Sequence, residues 1–365
     1  MTKSKNKKIC IVVHSLSSGG AEKSSALLSQ MLYQLGHEIH MVSIINNITY
    51  DYKGTLFNLG ALKEKNNTFF GKINRLIRLK QFLKKHHFDF VIDNRTRTSF
   101  LKELIFSRYI YTPQKTIYCV RSFNLGLYFI SNTQLAKYMY KDAYQLVGVS
   151  KRITEKVKKV YQLQNVTTIY NPISDFKNDV TIKAIDATYV LFFGRLDDQV
   201  KNISLLVEAY CKSKLPESNI HLKILGDGPD LEFLKQKVES YHLQSKVEFL
   251  PFMENPIDII ASAKFTLLAS RFEGFPRVLI ESLALGTPVI SVDCESGPKE
   301  IITNGYNGLL VENYNPQALA DAMNSFIFDA KLYQTCKANA KQSVAQFSVE
   351  QIAKDWQNLL NTIDE

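Results

Sequence analysis

Short apolar runs separated by longer amphipathic stretches recur along this chain in a steady rhythm. Lys8 to Val13 reads as a buried strand, Ser15 to Gly20 as a polar loop, and Ala21 to Leu35 as a helix with an apolar stripe, closed by Gly36. Strands follow at Ile39 to Ile45, Phe90 to Asp93, Thr116 to Val120, Leu146 to Val149 and Val166 to Ile169. Asn171 and Pro172 break the pattern, and Ile173 to Ala187 has neither helical nor strand period, which predicts a linker. A second series then opens with strands at Tyr189 to Gly194, His221 to Gly226, Val247 to Leu250, Phe265 to Leu268, Pro288 to Val292 and Leu309 to Val311. Strands that alternate with helices predict parallel sheets built from strand-helix-strand crossovers. The expectation is an α/β chain with two doubly wound, Rossmann-like domains, residues 1–175 and 188–345, followed by a terminal segment, 346–365. That segment carries a capping box, Ser348 with Gln351, and an apolar stripe of Val349, Ile352, Trp356, Leu359 and Ile363 that must pack on something.

Composition narrows this picture. With 365 residues and 45% hydrophobic content the chain buries sizeable cores. Cys10, Cys119, Cys211, Cys294 and Cys336 are scattered and never form a C-x-x-C pair, so neither a disulfide framework nor a zinc site is indicated. The start, MTKSKNKKICIVVHSL, has too short an apolar run for a secretory signal, and no stretch approaches the ~18 apolar residues of a membrane span. A cytoplasmic protein is expected.

Charge is unevenly placed. Residues 1–175 hold 27 Lys and Arg against 10 Asp and Glu, or +17, while the remainder holds 18 against 25, or −7, which together give the net +10. A basic half suits nucleic acid, anionic lipid or phosphorylated ligands, but no helix-turn-helix, zinc-finger or RNA-binding signature is present. Lys72 to His87 interleaves Ile73, Leu76, Ile77, Leu79, Phe82 and Leu83 with cations. Two readings stay open for it: an interfacial helix on anionic lipid, or a helix packing its stripe on a sheet.

The densest chemistry lies in SRFEGFPRVLIESLALGTPVISVDCESGPKEII, Ser270 to Ile302. Pro276 suits the first position of a helix and Gly286 its stop, so a helix is expected from about Pro276 to Leu285. Glu273 then sits in the loop ahead of the helix, Glu281 on it, and the amides of Phe275, Arg277 and Val278 at a terminus that favours an anion such as a diphosphate. A diphosphate flanked by hydroxyls is the layout of a sugar nucleotide. Upstream, FFGRLDDQVKN places Arg195 and Lys201 in a loop after a strand, where fixed cations can stabilise a leaving diphosphate. Asp197 and Asp198 between them are adjacent carboxylates that would suit a metal.

This string, in its order of EGFP turn, second glutamate, LGTPVI strand entry and SGPKEII turn, resembles the signature of the family 4 retaining glycosyltransferases. The resemblance spans nearly the whole chain, strongly in its second half and loosely in its first. It implies the GT-B fold, with two domains facing a cleft and the terminal helix crossing back to the first. It further implies that Arg195 and Lys201 hold the leaving diphosphate, although Lys201 stands one residue farther on than usual. Glu273 would contact the transferred sugar and Glu281 the ribose, with Gly274, Phe275, Pro276, Arg277 and Val278 beside the donor. Arg277 stands where the family often has asparagine or another polar residue. Gly19 and Gly20 in HSLSSGGAEKS resemble the paired-glycine loop near the donor diphosphate. Gly226 in LGDGPD and Leu250, Pro251 and Phe252 in VEFLPF resemble the nucleoside region.

No metal or other cofactor is needed on that pattern, and retention would proceed by same-face attack with a donor phosphate oxygen assisting the acceptor's proton. Acceptor-side candidates are His14, Asp93, Arg95 and Arg121, with Arg97 as a further cation for an acceptor phosphate. The expected activity is transfer from a nucleotide-sugar, UDP-linked first and GDP-linked second, to a cell-envelope glycan precursor. A polyprenyl-diphosphate-linked saccharide as acceptor would account for the basic first half and place the enzyme on the inner face of the cytoplasmic membrane. A nonhydrolysing sugar-nucleotide epimerase and an inactive sugar-nucleotide-binding protein are the alternatives. Sugar, linkage and oligomeric state are not encoded legibly.

Overall fold

A computed structural model describes residues 6–17, 19–173 and 188–361. The linker expected at 173–187 therefore lies, except for Ile173, outside the described residues, as does Ile363. The chain divides into two compact units, Met1–Pro172 with Val349–Glu365, and Ile173–Ser348.

The first unit carries a seven-stranded sheet of β1 Lys8–Val13, β2 Glu38–Ser43, β3 Thr55–Asn58, β4 Phe90–Asp93, β5 Thr116–Val120, β6 Gln145–Gly148 and β7 Val166–Thr168. Every pairing is parallel and the order is β3-β2-β1-β4-β5-β6-β7. The order reverses between β1 and β4, the place where open α/β sheets bind ligands at their carboxyl ends. β3 was not expected from the sequence: TLFN is a short edge strand between polar segments. Helix Val349–Asn361 packs Ile352, Ala353, Trp356 and Leu360 into this unit's core beside Leu28, Met31 and Leu32, so the terminal helix belongs to the first unit. Its hold includes Tyr144 Oη, which donates to the Leu359 carbonyl at 2.7 Å.

The cationic segment forms helix Phe69–His86, three residues longer at its start than the sequence suggested because Thr68 Oγ1 caps the Gly71 amide at 3.1 Å. Its two readings divide along its length. Toward the C-terminal end Phe82 stacks on Phe57 of β3, 4.6 Å between centroids, and Leu79 is buried, as a sheet-packed helix requires. Toward the N-terminal end Phe69, Phe70, Ile73 and Ile77 face solvent.

The second unit carries six parallel strands: β8 Tyr189–Phe193, β9 His221–Leu225, β10 Val247–Leu250, β11 Thr266–Leu268, β12 Val289–Val292 and β13 Gly308–Val311. Their order is β10-β9-β8-β11-β12-β13, reversing between β8 and β11. Alternate residues of β8 serve opposite faces, as the strand's period of two demands. Val190 and Phe192 enter one core with Leu206, Val207 and Met323, whereas Tyr189, Leu191 and Phe193 enter another with Ile260 and Leu285.

Candidate functional site

The switch point of the second sheet brings the loops after β8 and β11 together. After β8, Gly194 and Leu196 are overlain so closely by Gly226 and Gly228 that a Cβ on either glycine would fall 2.0 Å from the Gly194 carbonyl oxygen or 2.2 Å from that of Leu196. These glycines shape the strand end through close backbone packing. Beyond them Arg195 is exposed, and among the described residues its side chain has no hydrogen-bond or ionic partner. The chain then turns into helix Asp198–Lys201. Asp198 accepts from Ser204 through both oxygens, from the amide and the hydroxyl at 2.7 Å each. That carboxylate closes the turn, and among the described residues no three His, Cys, Asp or Glu side chains gather as metal ligands.

The loop after β11 docks on this turn through the Arg271 amide, which donates to the Val200 carbonyl at 2.9 Å. As a result Lys201 Nζ meets Glu273 Oε1 at 2.6 Å, and Ser270 Oγ donates to the same oxygen at 2.7 Å. A second segment clamps the loop from the other side. The Glu273 amide donates to the Glu295 carbonyl at 3.0 Å, and Ser296 Oγ donates to the Gly274 carbonyl at 2.8 Å. Gly297, at φ +101°, lies against Pro276, where a Cβ would come within 2.3 Å of Cδ. Only glycine fits both that backbone and that contact.

Helix Arg277–Ala284 begins after Pro276 and ends at Gly286, whose φ of 88° is the left-handed stop. Arg277 Nη2 and Glu281 Oε1 form an i,i+4 pair at 2.8 Å, nearly buried on the helix. Gly274 and Phe275 are buried, with Phe275 edge-on to Phe347 at 5.0 Å, and Val278 is half-buried. At the ends of β9 and β10 the Gly226 amide donates to the Leu250 carbonyl at 3.0 Å and the Phe252 amide to Asp227 Oδ2 at 3.2 Å. Pro251 and the Phe252 ring stand exposed beside that turn.

In the first unit Gly19 N-caps helix Gly20–Gln34, and its amide donates to Tyr50 Oη at 3.2 Å. Gly19 and Gly20 are both exposed. His14 follows β1 and is exposed; partial desolvation, then the cations Arg95, Lys63 and Lys102, hold its imidazole below the ordinary value of 6.5.

Asp93 and Arg95, two of the acceptor-side candidates, turn into the protein. Asp93, fully buried at the end of β4, accepts from the Arg95 amide at 2.9 Å and from its guanidinium at 3.0 and 2.7 Å. Arg95 also pairs with buried Glu103 at 3.2 Å and lies 3.9 Å over the Phe106 ring. Burial alone would lower its pKa, but Asp93 and Glu103 hold it well above the ordinary value; burial pushes Glu103 upward. Arg97, 0% exposed, donates to the carbonyls of Tyr128, Arg95 and Cys119 among the rings of Tyr118, Tyr128 and Tyr140. These side chains are buried and held by partners within the first unit. Arg121 is half-buried and held by Asn171 at 2.7 Å and Asn94 at 3.1 Å, beside the β1/β4 switch point.

Sequence reasoning did not single out Ser270, Ser296 or Gly297. Their signal was present: a serine three residues ahead of the loop glutamate, and a Ser-Gly-Pro turn after the next strand.

Comparison with known proteins fits this geometry. Residues 175–343 match the family described as "Glycosyl transferases group 1". Over 369 aligned residues, covering 95% of this chain and 98% of the relative, the chain is 30% identical to a Campylobacter jejuni enzyme, N-acetylgalactosamine-N,N'-diacetylbacillosaminyl-diphospho-undecaprenol 4-alpha-N-acetylgalactosaminyltransferase. It is 24% identical to the amylovoran biosynthesis glycosyltransferase AmsD of Erwinia amylovora, over 97% of this chain and 99% of that one. Among solved structures, Anabaena HepE in complex with UDP and glucose superposes with a TM-score of 0.77 at 18% identity, over 98% of this chain and 100% of HepE. The fold is therefore that of the GT-B glycosyltransferases. The chain belongs to the group 1 glycosyltransferases.

Proposed function

We propose that this glycosyltransferase transfers a sugar, with retention and without a metal, from a UDP-linked donor to a polyprenyl-diphosphate-linked glycan precursor. The work is then done from the inner face of the cytoplasmic membrane as a peripheral protein. Among the described residues no helix is long and apolar enough to cross a membrane. The observation that carries the reading is the meeting of Lys201 and Glu273 at 2.6 Å beside the unpartnered Arg195, at the sheet's switch point. Arg195 and Lys201 would take the leaving diphosphate, supplying fixed positive charge where negative charge develops. Glu273, steadied by Ser270, would hold hydroxyls of the transferred sugar, and Glu281, oriented by Arg277, those of the ribose. The anomeric C–O bond to the diphosphate breaks, the acceptor oxygen bonds on the same face, and its proton passes to a donor phosphate oxygen. The acceptor class follows the Campylobacter relative, whose name specifies a diphospho-undecaprenol saccharide.

Calorimetric titration with UDP, GDP and ADP in the presence of a chelator tests the donor site. Binding of UDP alone is expected, and a requirement for a divalent ion would overturn the metal-free mechanism. Glu273→Gln should retain nucleotide binding and lower turnover by about 10²-fold or more; near-normal turnover would remove Glu273 from the chemistry. The anomeric proton's coupling constant in the product, compared with that in the donor, decides between retention and inversion.

A further inference from the structure

Helix Phe69–His86 leaves Phe69, Phe70, Ile73 and Ile77 uncovered, with the two phenylalanines 71% and 80% exposed. Phe69, Ile73 and Ile77 recur every four residues and so lie along one face. A second stripe at the same spacing follows: Leu101, Ile105 and Tyr109, with Leu101 and Tyr109 68% and 64% exposed. It runs along helix Phe100–Ile105 and the π-helical turn Phe106–Ile110, and that turn packs against helix Phe69–His86. The buried charges explain why the second stripe faces outward. Glu103 and Phe106, on the inner side of the segment, are held by Arg95, which is itself fixed to β4 by Asp93.

The charge along helix Phe69–His86 has one sign. Lys72, Arg75, Arg78, Lys80, Lys84 and Lys85 lie on a helix without an acidic residue. Arg75 and Arg78 donate only to Asn66, Asn67 and Asn74, which are neutral, and none of the six meets a carboxylate among the described residues. Exposed phenylalanines bordered by unneutralised cations match the boundary between acyl chains and anionic headgroups. A second copy of the chain is disfavoured as the occupant, because it would bring the same cations against these. Nucleic acid would meet the cations but gives aliphatic Ile73, Ile77, Leu101 and Ile105 no partner.

We infer that the two stripes form a docking surface for an anionic lipid bilayer, with Phe69 and Phe70 inserted among the acyl chains. The inference deepens the reading of a lipid-linked acceptor, but its test needs neither donor nor acceptor.

The full chain is floated with vesicles of phosphatidylcholine alone and of phosphatidylcholine mixed with phosphatidylglycerol. Binding to the mixed vesicles only is expected, falling about tenfold or more in Phe69→Ser/Phe70→Ser, whose residues are already in solvent. Leu101→Ser/Tyr109→Ser should weaken it separately, and Lys72→Gln/Lys80→Gln/Lys84→Gln should abolish the lipid preference. Phe328→Ser, an equally exposed phenylalanine of the second unit, should change nothing. Nucleotide binding, unchanged in every variant, shows that the fold persists. Failure to float with mixed vesicles, flotation indifferent to Phe69→Ser/Phe70→Ser, or a dimer dissolved by that pair would each overturn the surface. Retained flotation with no transfer to any lipid-linked acceptor would instead remove the acceptor reading alone.

Discussion

The loop after β8 and the loop after β4 look alike as sequence, each a strand followed by short polar residues and two cations, yet the protein uses them in opposite ways. Arg195, after β8, stays exposed and its side chain has no partner among the described residues, and Lys201 has Glu273. Arg95, after β4, has two carboxylates and an aromatic ring, and Arg97 has three carbonyls. A buried cation held by internal carboxylates, carbonyls and rings supports the fold, whereas one left open at a switch point can meet a ligand. The partner inventory separates the two cases, and motif position alone does not.

The sharpest way to break this contrast is Asp93→Ala, which leaves Arg95 buried beside Glu103 only. Removing one partner of a buried ion pair typically costs about 3–5 kcal/mol. Urea unfolding of the first unit should show a loss of that size, while nucleotide affinity at the second unit is unchanged. Preserved stability with weakened acceptor use would return Asp93 to the acceptor side.

Gly297→Ala probes the other member of the comparison. The new methyl must displace Pro276 and hold a left-handed backbone, so about 1–3 kcal/mol of stability should be lost. Because the same contact positions Glu273, turnover should fall about 10- to 100-fold with little change in nucleotide affinity. A variant that unfolds more easily but turns over normally would show that the clamp is structural only.

What was legible follows from how local each signal is. Buried parallel strands such as ICIVV and LFF announce themselves as apolar runs, and the Pro276-to-Gly286 helix carries both its start and its stop. The site in the second unit was readable because its parts sit in loops whose order is the motif. β3 escaped because four residues at a sheet edge need little apolar character. The burial of Arg97 was not legible because the rings around it, Tyr118, Tyr128 and Tyr140, lie well downstream, and DNRTR by itself reads as a solvated loop. One clue was available: Glu103 is the sole acid in FLKELIF, a segment whose only other charged residue is Lys102, and an acid that turns inward there asks for a buried cation.

The smallest effect concerns how the terminal helix is held. Buried His37 accepts the Lys7 amide on Nδ1 at 3.1 Å and presents Nε2 to Gln357 Oε1 at 3.1 Å. Since an amide can only donate, Nδ1 carries no proton and Nε2 does, which makes the ring neutral. Burial, ahead of the opposing Gln357 bond, keeps its pKa below the ordinary 6.5. As pH falls through 6.5 the unfolded chain takes up a proton that the folded chain refuses, so stability falls until the depressed native value is passed. His14, also depressed, adds in the same direction. The melting temperature should drop on the order of a few degrees between pH 7.5 and 5.5. His37→Gln should flatten part of that slope, because its amide oxygen can replace one contact without titrating; an unaltered slope would assign the pH dependence to His14 or to other groups.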